Sequence, residues 1–148
     1  MKTLALDLGT TTGWALFVAP SHIVSGTMAF KPGRYEGGGM RYLRFRRWVA
    51  DMIAKEGVQV VFFEEVRRHL STDSAHVYGG LLAQLTATCE ELAVPYQAIP
   101  VGTIKKHATG KGNAGKEMMI EAMKAKGHNV SDDNEADALA ILYCALEG

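Results

Sequence analysis

The sequence has few cysteines, few prolines and no long apolar run. Cys89 and Cys144 are the only cysteines among 148 residues, and neither belongs to a CxxC or Cys/His pattern. We therefore expect reduced core residues rather than a disulfide or a metal site. The first residues lack the uninterrupted apolar stretch of a signal peptide, and no run approaches membrane-spanning length. These absences predict a cytoplasmic protein without a membrane segment.

The chain also lacks an excess of charge of either sign. Sixteen basic and sixteen acidic residues give a formal net charge of zero, with the acids concentrated near the C-terminus. A local field can still steer a charged ligand when the total charge is zero. Two interpretations remain open, a basic face that binds a polyanion and two ordinary solvated faces. The basic residues cluster in two segments, Lys31, Arg34, Arg41, Arg44, Arg46 and Arg47, and then Lys105, Lys106, Lys111 and Lys116.

Length and hydrophobic periodicity indicate one α/β domain. A chain of 148 residues with 47% hydrophobic content can bury one sizeable core, so we expect a single domain over residues 1–148. The patterns predict strands, then alternating helices and strands, hence a mixed five-stranded sheet flanked by helices. The predicted strands are 2–9, 12–18, 22–31, 58–64 and 95–99; the predicted helices are 40–57, 81–92, a short one that Thr103 caps and that ends before Gly110, 115–126 and 133–147; Arg67 to Gly80 is predicted to be a loop.

Acidic residues stand out at the ends of apolar elements. Asp7 and Glu64 each end a strand-like apolar run, and Asp133 and Asp137 lie one turn apart at the start of an apolar helix. Carboxylates that converge in such surroundings would repel one another, and a divalent cation would relieve that repulsion. Hard oxygen ligands without a Cys/His set favour Mg²⁺, with Mn²⁺ as a substitute.

Each of these residues also has a structural interpretation. Asp7 is a possible turn residue, and Asp133 is a possible N-cap of the last helix. Glu65 is expected on the opposite face of its strand as a solvated or supporting acid. Asp137 has the strongest functional case, because it lies inside an otherwise apolar helix. The stretch from Lys105 to Lys116 is either a solvated loop or a glycine-rich contact for phosphate.

Four blocks of sequence carry a resemblance to a known family. The chain resembles RuvC-type Holliday-junction resolvases, and more closely their phage-encoded relatives, in the ribonuclease-H-like superfamily. No block is specific alone, but their order and spacing together are. The blocks are Leu6-Asp7-Leu8-Gly9-Thr10 with Thr12-Gly13, Glu64-Glu65-Val66, the stretch from Ile104 to Lys116, and Glu135-Ala136-Asp137-Ala138-Leu139-Ala140.

The resemblance implies a magnesium-dependent endonuclease that acts as a homodimer on four-way DNA junctions, in the cytoplasm of a bacterial or phage-infected cell. It implies a ribonuclease-H-like fold, in which the ends of the first and fourth strands are adjacent. Asp7, Glu64 and Asp137 match the metal-binding carboxylates of the family. Lys105 and Lys116 match its basic residues near the cleaved backbone.

The chain departs from the family pattern at two positions. The acid or histidine that the family places three residues before its last Asp is here Asn134. Asn134 offers a neutral oxygen, whereas Asp133 brings a full charge to the same helical face, so we favour Asp133 as the fourth ligand. Arg67 replaces an aromatic residue that enters the junction in some relatives, and with Arg68 it is expected to hold phosphates or stack on a base. The candidate DNA-binding residues are Lys105, Lys106, Lys111, Lys116, Arg67 and Arg68.

Two other functions remain open. The run from Asp7 to Gly13 also resembles the first phosphate-binding hairpin of the actin, Hsp70 and sugar-kinase superfamily. Those proteins need a second domain, and we expect this chain to be too short to contain one. Alternatively, Asn134 marks a non-catalytic protein that binds branched DNA. For a homodimer, the apolar helices Leu81 to Leu92 and Tyr42 to Ile53 are the candidate contact surfaces, unless they belong to the core.

Overall fold

A mixed five-stranded sheet forms the centre of the computed structural model, which describes residues 1–148. The strand order is β3-β2-β1-β4-β5. The first three strands are antiparallel neighbours, and β4 lies parallel to both β1 and β5. The predicted mixed sheet is confirmed. The elements are β1 Thr3–Asp7, β2 Thr11–Ala19, β3 His22–Ala29, α1 Gly39–Glu56, β4 Val60–Glu65, α2 Thr72–Glu91, β5 Tyr96–Pro100, α3 Val101–Thr109, α4 Lys116–Ala125 and α5 Asp133–Glu147.

The strand register brings the ends of several strands together at one edge of the sheet. Asp7 pairs with Gly13, and Thr11 pairs with Ala29. Because β1, β3, β4 and β5 end where β2 begins, we call this the upper edge. Asp7 and Glu64 therefore lie on adjacent strands at the same edge, as the sequence predicts.

Each face of the sheet has its own core, and β1 contributes to both. Leu4 and Leu6 are fully buried on the side that α1 and α2 cover. Ala5 faces the side that α3, α4 and α5 cover, where it pairs across the strands with Ala15. These two small side chains lie opposite the alanine-rich face of α5, so the helix packs closely on β1 and β2.

Helix α2 begins much earlier than the sequence predicts. The expected loop from Arg67 to Gly80 is wrong from Thr72 onward, where α2 starts. Ser71 caps it, with its hydroxyl accepting from Ser74 N and its own N–H donating to Ser74 Oγ. Gly80 then permits a close packing, since a Cβ at that position would overlap the ring of Tyr42.

The start of α3 differs from the prediction, whereas the state of the two cysteines agrees with it. Helix α3 starts at Val101 with Pro100 as its N-cap, so the predicted cap at Thr103 is wrong. Pro100 has the extended backbone typical of an N-cap residue, but no side chain caps the helix. Cys89 and Cys144 are free and buried, as expected. No helix is long and apolar enough to cross a membrane.

The apolar stripes proposed as dimer contacts belong to the core. Leu81 and Leu85 of α2 and Phe45 and Val49 of α1 are fully buried within the protein. These four residues are therefore not available to a second copy. The homodimer stays a prediction, and a contact would have to use other faces of these helices.

Candidate active site

Asp7 is held at the end of β1 by a tightly bonded turn. The hydroxyl of Thr12 is fully buried and donates to the carbonyl of Gly9 at 2.8 Å. The carbonyl of Thr10 accepts from Phe30 N at 2.7 Å, which ties the turn to the residue after β3. The turn interpretation of Asp7 is thus compatible with function, because its neighbours make the turn and leave its carboxylate free.

Glu64 is fixed at the end of β4 by a residue that the sequence did not indicate. The Tyr78 hydroxyl donates to the carbonyl of Glu64 at 2.8 Å and accepts from Val66 N at 3.3 Å. Tyr78 lies on α2, in the part predicted to be a loop, so no helical pattern drew attention to it. Its hydroxyl joins the end of β4 to the start of α2.

The start of α5 brings the remaining acids to the same edge. Asp132 is the N-cap, since its side chain accepts from Glu135 N at 3.0 Å, and the predicted cap at Asp133 is wrong. The spacing of Asp132 and Glu135 is a capping-box signal that would have identified it. Asp133 has no capping role, and its carboxylate is available for other contacts.

A glycine lets α5 approach the sheet next to Asp7. A Cβ on Gly13 would overlap the backbone carbonyl of Asn134. Because Gly13 is the register partner of Asp7, the missing side chain brings the first turn of α5 against that position. The Ser25 hydroxyl donates to Glu135 at 2.7 Å and ties the same turn to β3.

Electrostatics show that the four predicted carboxylates, here called the acidic centre, influence one another. Burial raises the pKa of Asp7 well above its ordinary value, and Asp137, Glu64 and Asp133 raise it further. Burial, followed by the charges of Glu64 and Asp133, raises the pKa of Asp137 to about 7. Asp132 adds a smaller effect on both residues, a contribution that the sequence did not reveal.

Two of the predicted lysines lie beside the acidic centre. Lys105 opposes the burial that raises the pKa of Glu64, and it also lowers the pKa of Asp137. Lys116 Nζ lies 3.5 Å from Asp133 Oδ2. Lys106 and Lys111 are exposed at the end of α3 and in the following loop, away from any ion pair.

The arginines after β4 line a groove next to Glu64. Arg67 is largely exposed and pairs with Glu65 at 2.6 Å, which agrees with the supporting role expected for Glu65. The groove has a volume of about 540 Å³, and Glu64, Arg67, Arg68 and Gly102 are among its lining residues. The arginines are therefore placed to contact an extended ligand that passes the acidic centre.

The acidic centre offers the kind of oxygen donors that a hard divalent cation prefers. All its donors are carboxylate oxygens, and burial with mutual repulsion makes the ionised set unfavourable unless positive charge is added. Their present positions do not form a ready group of three or more ligands. Burial and mutual repulsion are thus the observations that favour added positive charge at this site.

Comparisons with known proteins concern the fold. No protein-family model matches the chain, and no curated protein matches it by sequence. A Thermus thermophilus RuvC structure in complex with a Holliday junction substrate matches with a TM-score of 0.81 and 22% identity, covering 97% of this chain and 92% of that one. A second Thermus thermophilus RuvC structure has a TM-score of 0.78, 22% identity and coverage of 99% and 96%.

A more distant structure has the same arrangement. The yeast mitochondrial Holliday junction resolvase Ydc2 matches with a TM-score of 0.66 and 14% identity, covering 96% of this chain and 76% of that one. At these identities the likeness shows a shared fold. The predicted architecture is thereby confirmed: the chain has the ribonuclease-H-like fold of the RuvC resolvases.

Proposed function

We propose that the protein is a magnesium-dependent, structure-selective endodeoxyribonuclease that resolves four-way DNA junctions. The observation that carries the proposal is the gathering of Asp7, Glu64, Asp133 and Asp137 at one edge, with Lys105 and Lys116 beside them. The fold shared with RuvC and Ydc2 supports the same function. Other branched DNA is a second class of substrate for the same site.

Asp7, Glu64 and Asp137 would hold the metal, with Asp133 as the fourth charged ligand and Asn134 as a neutral one. Two bound ions would activate the attacking water and stabilise the leaving 3′ oxygen. The chain itself contributes carboxylates on rigid elements, because β1, β4 and α5 fix where each acid starts. Mn²⁺ has the same preference for oxygen ligands and should substitute.

Lysines and arginines would hold the DNA backbone against the acidic centre. Lys105 and Lys116, which lie beside the carboxylates, would offset negative charge that builds on the phosphoryl oxygens during cleavage. Lys106, Lys111, Arg67 and Arg68 are exposed and would contact neighbouring phosphates.

Paired incision requires two acidic centres. A four-way junction has two symmetry-related strands, so a two-fold homodimer is the simplest arrangement that cuts both. The DNA substrate and the free, buried cysteines support a place in the cytoplasm of a bacterial or phage-infected cell.

Cleavage of synthetic DNA tests the proposal. Four-way, three-way and linear molecules are incubated with the protein in Mg²⁺ and in EDTA. We expect paired nicks in the four-way junction that require Mg²⁺ and are absent from linear duplex. Equal nicking of all three molecules would contradict junction selectivity, and nicking in EDTA would contradict the metal dependence.

One observation favours a non-catalytic alternative. Asn134 stands where the family has an acid or histidine, and the carboxylates do not form a ready ligand group. A protein of this kind would bind branched DNA and leave it intact. Junction binding without any nicking in Mg²⁺ or Mn²⁺ would favour this alternative over the nuclease.

A further inference from the structure

The first basic cluster takes no part in the acidic centre. It spans residues 30–47, which form the connection from β3 to α1 and the first half of α1, and we call it the basic segment. Its single acid is Glu36. Its six cations are Lys31, Arg34, Arg41, Arg44, Arg46 and Arg47.

The basic segment lies at the same end of the sheet as the acidic centre. It starts immediately after β3, whose last residue Ala29 pairs with Thr11 at the upper edge. Phe30 N donates to Thr10 O at 2.7 Å, three residues beyond Asp7. Tyr42 packs against Gly80, so the start of α1 stays beside α2. A DNA molecule bound at the upper edge would therefore pass close to this segment.

The protein orders part of the segment but neutralises little of its charge. Glu36 accepts from Arg44 Nη1 at 2.7 Å and from Gly33 N at 2.6 Å, which shapes the loop. Arg41 donates to the Phe30 carbonyl at 2.9 Å and keeps its charge. The remaining four cations are exposed and form no ion pair; they are Lys31, Arg34, Arg46 and Arg47.

The charge order along α1 is unfavourable for an isolated helix. The arginines occupy its first half, whereas Asp51 and Glu56 lie in its second half. The first turn contains no acid, and no side chain caps it. Cations near the positive end of a helix oppose its dipole. Only Arg41 lies in the first turn, and Glu36 compensates Arg44. The exposed Arg46 and Arg47 are the cations of α1 that remain for an external partner.

We propose that the basic segment binds the phosphate backbone of a duplex arm of the DNA that the acidic centre cuts. This inference rests on the proposed nuclease function. Double-stranded DNA carries one negative charge per about 1.7 Å of its axis. A helix advances about 1.5 Å per residue, so Arg46 and Arg47 lie roughly 12 Å from the start of α1, where they would meet phosphates beyond those held at the upper edge.

The composition of the segment favours duplex over single-stranded DNA. Single-strand binders use several aromatic side chains as stacking platforms. The basic segment has one highly exposed aromatic ring, Tyr35, and the guanidinium of Arg34 lies 5.5 Å from its centre. Contacts by exposed arginines to phosphates position a duplex without reading its sequence.

A pair of matched double variants tests the inference. Arg46→Ala/Arg47→Ala removes two exposed charges from the basic segment. Lys55→Ala/Lys124→Ala removes two exposed charges from the last turns of α1 and α4, at the C-terminal ends of these helices. Dissociation constants for a four-way junction and for linear duplex are measured in EDTA from 50 to 200 mM salt, so that cleavage plays no part.

We expect the arginine variant to bind both molecules more weakly and to lower the salt slope by about two units. The ratio of wild-type to variant affinity should then fall about tenfold between 50 and 200 mM salt. The lysine variant should keep the wild-type slope. Arg46→Gln/Arg47→Gln, which preserves side-chain length, should repeat the arginine result if the alanine variant melts early.

Two outcomes would overturn the inference. An unchanged slope in the arginine variants would place the segment away from DNA, and an equal loss in the lysine variant would show that binding follows total charge. If the wild-type protein binds DNA with a steeper salt dependence than the arginine variant but never nicks it, the nuclease function is contradicted. The basic segment would then still be a DNA-binding surface.

Discussion

The acidic centre and the basic segment lie at the same edge of one sheet but place their charges in opposite surroundings. The carboxylates are partly buried, so burial and mutual repulsion act on them strongly. The arginines Arg46 and Arg47 are exposed, where water and salt screen each charge. Buried charges interact strongly because the surrounding protein screens them weakly, whereas each exposed charge makes only a small contribution to binding and these contributions add up. One substitution should therefore disable the acidic centre, and several are needed to change the basic segment.

The largest effect should come from removing one buried carboxylate. Asp7→Asn and Asp137→Asn should each lower the single-turnover cleavage rate by at least about a hundredfold. Junction affinity should change little, because the basic surface is untouched. Asp51→Asn, an exposed acid on α1, is the matched control. Near-normal nicking by either variant would remove the distinction between the two regions.

The close approach at Gly13 should have the next largest effect. Gly13→Ala should push the first turn of α5 away from β2, slow cleavage and lower the free energy of unfolding by about 1–3 kcal/mol. Gly79→Ala is the control, since Gly79 lies in α2 with no atom within 4 Å of an added Cβ, and it should be neutral or stabilising. Urea unfolding and single-turnover cleavage measure the two effects. Normal cleavage by Gly13→Ala would show that the acidic centre tolerates displacement of α5.

The fourth ligand can be assigned by comparing neighbours. Asp133→Asn should slow single-turnover cleavage at saturating Mg²⁺ by about tenfold, more than Asn134→Ala does. A charge attracts a dication more strongly than a neutral amide does. The reverse order would give the role to Asn134 and restore the spacing of the family.

Burial of the acidic centre should also appear in the pH dependence of stability. The pKa of Asp137 is about 7 in the folded protein and near 4 in an unfolded chain. Between these values the folded state holds a proton that the unfolded chain releases, so the contribution of Asp137 to stability falls as pH rises. The fall is at most about 1.4 kcal/mol per pH unit.

Urea unfolding of the wild type and of Asp137→Asn in EDTA, at pH 5 to 8, measures this contribution together with the smaller change at Asp7, whose pKa Asp137 raises. The variant should gain stability relative to the wild type as pH rises towards 7, and the difference should level off above it. Mg²⁺ should stabilise the wild type more at pH 8 than at pH 5. A difference that does not change with pH would show that Asp137 is ionised throughout.

The smallest effect concerns the lysines beside the acidic centre. Lys105→Ala and Lys116→Ala should each lower the salt slope of junction binding by about one unit. Unlike changes in the basic segment, they should also slow cleavage at saturating protein, because both lysines lie beside the acids. Lys111→Ala should lower the slope with a smaller effect on the rate. Three unchanged slopes would place the stretch from Lys105 to Lys116 away from DNA.

The elements that depend on local pattern were predictable from the sequence. Apolar runs predict β1 and β4, and the carboxylates that end them identify Asp7 and Glu64. The start of α2 was not predictable in this way, because Gly79 and Gly80 resemble a loop. Gly80 is explained by Tyr42, a residue distant in sequence whose packing requires the missing side chain.

The geometry of the site depends on similar long-range contacts. Nothing near Gly13 in the sequence indicates that Asn134 lies against it. Tyr78 is likewise explained by its bond to the backbone of Glu64, which adjacent residues do not reveal. Asp132 could have been recognised as the N-cap from its spacing to Glu135, whereas its electrostatic effect on Asp7 required the fold.

The contact between Gly13 and Asn134 has a consequence for the folding pathway. Asp7 and Asp137 come from opposite ends of the sequence, so they meet only when α5 docks on β1 and β2. Such long-range closure is slow, and here it also brings like charges together. A cation or protonation at that step should mainly slow unfolding if docking follows the transition state. The magnesium dependence of the folding and unfolding rate constants would then show when the acidic centre forms.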